Sequence, residues 1–235
     1  MSVDNNLTPP SDAVQHVRVW DLPTRLFHGL LILTMVGLVA TGQIGGMAMT
    51  WHFYLGYLVL SLLLFRVVWG FVGGHWSRFA QFVPRPTQVW RYARELMGRR
   101  HHATVGHNPM GALSVLAMLL LLLLQVFSGF MSDDEIAASG PWTSLVSNQW
   151  VEWATAYHTE VGKVLILILV GLHIGSVVFY KRVQREDLIT PMISGDKALP
   201  ANVPASNDTA SSRALALAIW IACGYAVYQW VHLAP

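Results

Sequence analysis

From Leu26 to Phe65 the sequence contains no Asp, Glu, Lys or Arg. A bilayer accepts about 20 mostly apolar residues per helix, so this run is long enough for two spans, Phe27 to Gly45 and His52 to Val72. Three further windows of the same kind follow: Pro109 to Phe130, Val161 to Tyr180 and Ala214 to Leu233. The hydrophobic fraction of 54% agrees with a membrane protein. In hydrocarbon every backbone polar group needs an internal partner, and no alternating segments of barrel type occur. The expected fold class is therefore all-α, a transmembrane helical bundle. The first window shares some features of a signal peptide, with Arg18 and Arg25 before it and Ala40, Thr41 and Gly42 at its end. Its length and the second apolar segment directly after it favour a span.

Loop charges then set orientation. Arg18 and Arg25 precede the first span. Arg78, Arg85, Arg91, Arg94, Arg99 and Arg100 lie between the second and third, and Lys181, Arg182, Arg185, Lys197 and Arg213 between the fourth and fifth. All three segments fall on one side, while the other receives Asp133, Asp134, Glu135 and Glu152. The positive-inside rule makes the N-terminus cytoplasmic and the C-terminus external. The totals, 15 basic and 13 acidic residues, are too balanced for an electrostatic nucleic-acid binder, so no nucleic-acid partner is expected. Residues 1–16 form a polar tail, 198–212 have the Gly/Pro/Asn/Ser/Ala composition of a flexible linker, and 213–235 form an additional transmembrane helix outside a 17–197 core. Between Pro86 and Arg100, Val89, Tyr92, Ala93 and Leu96 share one face, the pattern of a helix lying at the cytoplasmic interface.

Ten histidines stand in this apolar background, and an ionisable ring in hydrocarbon is costly unless something pairs with it. The single cysteine, Cys223, excludes an intrachain disulfide, a Cys-based zinc site, an iron–sulfur cluster and covalent C-x-x-C-H haem attachment, so any bound metal relies on His. His16, His75, His101, His102 and His107 fall in cytoplasmic segments and His232 at the outer end of the last span, which suits solvated or interfacial rings. Four remain: His28 at the inner start of the first span, His52 at the outer start of the second, His158 just ahead of the fourth and His173 deep within it. His158 and His173 are about 22 Å apart along a helix, and their directions differ by about 60°. His173 thus matches His28 in height, and His158 matches His52. Two imidazole pairs at two depths suit two six-coordinate haems b, with axial nitrogens supplied by facing helices. The same residues also fit interhelical hydrogen bonding or proton handling; zinc would be undercoordinated.

Haem propionates call for cations. Arg25 lies three residues before His28, Arg66 lies about 21 Å down the second helix from His52, near the inner haem, and Lys163 lies one turn past His158. The alternative for each is snorkelling to the headgroups. Gly29, Gly37, Gly42, Gly56, Gly111, Gly129, Gly162, Gly171 and Gly175 fall in or at the ends of the spans, where a flat ring or another backbone can approach. Asn108 before Pro109 reads as an N-cap with Pro in the first turn.

The opening Val19-Trp20-Asp21-Leu22-Pro23-Thr24-Arg25-Leu26-Phe27-His28 resembles the V-W-D-x-P-x-R-x-x-H start of the bacterial cytochrome b561 family, which includes the cytochrome b subunits of nickel–iron hydrogenases. Gly106-His107-Asn108-Pro109-Met110-Gly111 is similar to its entry to the third helix. Arg185-Glu186-Asp187-Leu188-Ile189 with Met192-Ile193-Ser194-Gly195 resembles the close of its fourth. The resemblance covers residues 17–197 and does not extend to the fifth helix. It implies a four-helix core in a bacterial inner membrane with two non-covalent haems b, ligated by His28 and His173 at the inner site and His52 and His158 at the outer. It also implies electron relay between ubiquinone or menaquinone and a partner at the membrane surface.

The acidic outer residues suit a basic periplasmic c-type cytochrome as that partner. Two alternatives stand beside this reading. One is a superoxide:ubiquinone oxidoreductase, for which the acidic rim is unfavourable to an anionic substrate. The other is the membrane anchor of a hydrogenase or reductase, with a catalytic redox subunit docked outside. No residues are assigned to catalysis or to the quinone.

Overall fold

The structure is a computed structural model describing residues 14–97, 104–136, 138–200 and 202–232. The tail before Val14, Arg99 to His102 and the last three residues lie outside this set. A strand β1 (Val14–Arg18) precedes the long helices α1 (Leu22–Ile44) and α2 (Ala48–Val72). Two short elements follow, α3 (Phe79–Phe82) and α4 (Pro86–Met97), then the long α5 (Pro109–Phe130). α6 (Asn148–Ala156) runs through a π-turn at Tyr157–Gly162 into α7 (Lys163–Arg182), which gives one continuous helix over Asn148–Arg182. The chain ends with α8 (Ile189–Ser194), β2 (Asp196–Pro200) and α9 (Ala210–Val231). Among the described residues five helices are long and apolar enough to cross a membrane: α1, α2, α5, α6–α7 and α9. The fold is an all-α transmembrane bundle with a small ribbon at one end.

Local chemistry sets the helix ends. Asp21 caps α1 by accepting the Thr24 N–H at 2.8 Å, with Pro23 in the first turn. Asn108 caps α5 through the Gly111 N–H at 2.8 Å, with Pro109 behind it. The α1–α2 connection reverses at Gly45 and Gly46, whose φ values of 66° and 54° lie where a Cβ is disfavoured. α2 is the hub. Its Val59, Leu60, Leu62, Leu63, Phe65 and Trp69 are buried, and it packs on α1, α5 and α9. α7 packs on α5 and exposes Leu165, Leu167, Ile168 and Leu172. The additional helix α9 lies on α2, with Trp220 beside Phe65 and the Trp230 carbonyl accepting the Trp142 indole N–H at 3.0 Å. α4 turns Tyr92 inward to meet the Tyr180 hydroxyl at 2.8 Å and leaves Trp90 exposed, in keeping with an amphipathic surface helix.

At the end of the bundle where α1 begins, hereafter the strand face, β1 pairs antiparallel with β2 in the register Val14↔Pro200 to Arg18↔Asp196. The adjoining stretch has the composition of a flexible linker, yet it is fastened to that ribbon. Buried Ser206 gives its N–H to the Arg18 carbonyl and its hydroxyl to the Val19 carbonyl, both at 2.7 Å. Asp208 accepts from Arg18 at 2.8 Å, Arg213 at 2.9 Å and the Leu22 N–H at 3.1 Å. Composition counts polar residues but does not reveal their partners, so the expectation of flexibility arose from residue types that here form specific bonds.

Candidate functional site

α1 and α7 bring His28 and His173 together near the strand face, with ring centroids 6.4 Å apart and planes inclined at 60°. Near the opposite face α2 and the π-turn bring His52 and His158 to 6.1 Å, with planes at 81°. His158 lies inside the continuous helix rather than ahead of it. The wider π-turn also changes the angular register between His158 and His173 that a regular 3.6-residue repeat predicts.

The second pair is held from behind. His52 Nδ1 faces the Leu38 carbonyl at 3.1 Å and the Thr41 hydroxyl at 3.2 Å, and His158 Nδ1 faces the Gln125 carbonyl at 2.8 Å. A carbonyl can only accept, so Nδ1 carries the proton in each ring and the Nε2 lone pair is left free. Gln125 closes the contact by donating its side-chain N–H to the His158 carbonyl at 2.8 Å. A Cβ on Gly129 would stand 2.7 Å from His158 Cε1, and one on Gly42 would stand 3.2 Å from His52 Cε1. These two glycines therefore make room for the rings.

Gly56, one turn past His52 and on the same face of α2, has open space beside it: outside the helix's own backbone nothing stands within 4 Å of where its Cβ would be. Among the described residues no group of three or more His, Cys, Asp or Glu is placed to hold a metal ion. A metal at either pair would thus have two protein nitrogens and need its other ligands from a flat cofactor.

The cations sort differently. Arg66 is 3% exposed; one Nη donates to the Ser77 carbonyl at 3.1 Å, its guanidinium lies over Phe79 and Phe82, and the other Nη is buried without a partner. Snorkelling does not describe it. Arg25 donates to the Ile193 carbonyl at 2.6 Å, while its Nε and the Nε of Arg78 are also buried and unpartnered. Lys163, just past the π-turn, is exposed. Sequence reasoning missed Arg78, Gln125 and above all His107. That ring, expected to be solvated or interfacial, lies against Trp20 and Phe82 with centroids 4.8 and 4.6 Å away, and its Nδ1 is buried without a partner. Burial, followed by the charges of Arg66, His173 and His28, pushes its pKa down to about 3. The available signal was its position in the Gly106-to-Gly111 motif, next to the Asn108 cap.

A multi-pass helical bundle with two facing histidine pairs, and with single guanidinium nitrogens of Arg25, Arg66 and Arg78 buried without partners at one end, is a scaffold suited to a planar anionic cofactor. Residues 19–195 match the family of prokaryotic cytochrome b561, and the chain belongs to that family. It is similar to the probable Ni/Fe-hydrogenase B-type cytochrome subunit of Rhizobium leguminosarum bv. viciae, at 28% identity over 214 residues, which are 78% of this chain and 89% of the relative. It is also similar to the probable Ni/Fe-hydrogenase 1 B-type cytochrome subunit of Escherichia coli (strain K12), at 29% over 153 residues, covering 53% of this chain and only 63% of that protein. No solved structure matches the chain at a significant level. Membership of that family makes the protein a membrane cytochrome b.

Proposed function

We propose that the chain binds two haems b, one between His28 and His173 and one between His52 and His158, and relays electrons across a bacterial inner membrane. The observation that carries this reading is the spacing of the rings. A metal about 2 Å from each of two opposed imidazole nitrogens separates the ring centroids by roughly 6 Å, and the pairs stand at 6.4 and 6.1 Å. When bound, haem would supply a one-electron couple, with a potential tuned by the histidines that hold it and by their hydrogen bonds. His52 and His158, donating from Nδ1 to carbonyls, offer more basic Nε2 atoms in a fixed orientation. Arg25 and Arg66 offset propionate charge at the strand face, and Lys163 is available at the other.

Loop charge makes the strand face cytoplasmic, the opposite face periplasmic and the C-terminus external. One electron partner is a quinone, ubiquinone or menaquinone, drawn from the bilayer. For the other, the hydrogenase-subunit names of the relatives favour a catalytic redox subunit docked on the periplasmic face. The acidic loop Asp133 to Glu135 favours a basic periplasmic cytochrome c instead. Affinity purification from native membranes with mass spectrometry distinguishes these partners.

The haem count tests the core of the proposal. Protein purified in mild detergent is expected to give two haems b per chain in the pyridine haemochrome assay, and a ratio of one or none refutes the two-site reading. Gly129→Ala is expected to act at the periplasmic site alone. The added methyl meets the His158 ring and strains its bond to Gln125, a disturbance behind the ligand worth about 10-fold or more in retention. Haem loss on dilution, followed by gel filtration, measures it; unchanged loss rates at both sites would count against the role given to Gly129.

A further inference from the structure

Gln125 of α5 holds His158 at two points: its main-chain carbonyl faces the ring Nδ1, and its amide N–H donates to the His158 carbonyl, both at 2.8 Å. The second contact fixes the amide, because only its nitrogen can donate to a carbonyl. Oε1 is thereby turned toward Gly162, on whose backbone a Cβ would stand 2.0 Å from it. The ring of Tyr157, which begins the π-turn that Gly162 ends, closes on the same spot, with Cε1 at 2.7 Å and Cζ at 3.0 Å. Gln125 Oε1 and the Tyr157 hydroxyl are buried, and neither has a hydrogen-bond partner among the described residues. The distances of 2.0 and 3.0 Å to the Gly162 Cβ position keep Oε1 within 5 Å of the carbon that bears the hydroxyl. An amide oxygen only accepts, and a phenol donates. Buried polar atoms without a protein partner are met by internal water, which makes about two to four hydrogen bonds, each about 2.8 Å long. A water at this place accepts from the hydroxyl and donates to Oε1.

We propose that one internal water joins the Tyr157 hydroxyl to Gln125 Oε1, and that Tyr157 is thereby a positioning residue for His158. The proposal rests on the reading of His52 and His158 as haem ligands, and it deepens that reading by naming what holds the ligand's support in place. With Oε1 anchored, Gln125 keeps its grip on the His158 backbone and ring, and the Nδ1–H bond keeps Nε2 basic. Loosening Gln125 weakens that bond, leaves Nε2 a weaker donor to iron and raises the potential at this site.

The test uses the haem-loaded protein in detergent. Redox-difference infrared spectra, recorded in heavy water with the ordinary and the heavy oxygen isotope, are expected to show an isotope-shifted O–D stretch from an internal water. Tyr157→Phe and Gln125→Leu should each lose that band. Potentiometric titration of Tyr157→Phe is expected to show one midpoint potential raised and the other unchanged, with haem content as in the unaltered protein. Tyr157→Phe keeps the ring and its packing, so it reports on the hydroxyl even if Gln125→Leu fails to fold. Where it folds, Gln125→Leu should raise the same potential further, because it also loses the bond to the His158 carbonyl. Unchanged potentials in Tyr157→Phe overturn its positioning role, and absence of an isotope-sensitive water band from the unaltered protein overturns the bridge. Retention of both haems by His158→Ala would instead overturn the ligand reading beneath the proposal, whatever the infrared result.

Discussion

His158→Ala is expected to halve the haem content and leave the remaining haem with an unaltered spectrum, and His52→Ala is expected to remove the same haem. His28→Ala and His173→Ala should together define the other class. The expectation follows from pairing across helices: each iron would lose one of two axial nitrogens, while the second pair, about 22 Å away along the fourth membrane helix, shares no partner with the first. The fold should survive, because α7 rests mainly on α5 and turns much of its surface outward, so removing one imidazole disturbs little packing. The Gln125 carbonyl, which loses the His158 donor, keeps the Ser128 hydroxyl at 2.9 Å, so the added cost is small. Haem-to-protein ratio and a redox titration of each variant check the assignment. Four different spectra from the four variants would sink the pairing, and retention of both haems in any one would remove that histidine from the ligand set.

The pairing was legible because depth needs only span boundaries and a rise per residue, and both come from hydropathy. Caps were legible for a similar reason: Asp21 with Pro23 and Asn108 with Pro109 act within three residues of themselves. What escaped detection depends on partners distant in sequence. Gln125 reveals nothing of its grip on His158 until α5 and the π-turn lie side by side, and hydropathy alone does not distinguish a π-turn from a regular one. The ribbon of β1 and β2 escaped because each strand is five residues long and its register joins segments at opposite ends of the chain. The stretch after β2 was misread for the same reason, since Ser206 and Asp208 bond to residues 18–22. No Asp or Glu stands within the spans at the depth of Arg66. The structure supplies one indirectly, because Ser77 gives its carbonyl to Arg66 and its hydroxyl to Asp21.

That carboxylate carries the second large prediction. Asp21 is fully buried and accepts from four donors: the Thr24 N–H at 2.8 Å, the Gly74 N–H and the Ser77 hydroxyl at 3.0 Å, and the Trp69 indole N–H at 3.2 Å. Because the one Ser77 proton goes to Asp21, the Thr24 hydroxyl must be the donor in its 2.8 Å contact with Ser77. One side chain thus ties the start of α1 to the end of α2 and the turn beyond it. A Cβ at position 74 would stand 2.2 Å from the carboxylate, so the turn is built around that group. Asp21→Ala leaves the Thr24 and Gly74 N–H groups and the Trp69 indole N–H buried without this acceptor, while the Ser77 hydroxyl can turn to the Thr24 oxygen, and is expected to cost about 3–5 kcal/mol. Asp21→Asn keeps the size and one acceptor oxygen but sets its NH2 against donors, and should fall between the two. The damage has a direction. Ser77 positions Arg66, and α1 carries His28 two turns on from Asp21, so under the proposed two-haem reading the haem held between His28 and His173 should be lost at lower temperature than the one held between His52 and His158. Thermal release of haem, followed at the two sites by their separate potentials or α-bands, measures this, with Asp133→Ala at the opposite face as control. Melting of Asp21→Ala within a degree or so of wild type, or simultaneous loss of both haems, would show that the buried carboxylate does not organise this end of the bundle.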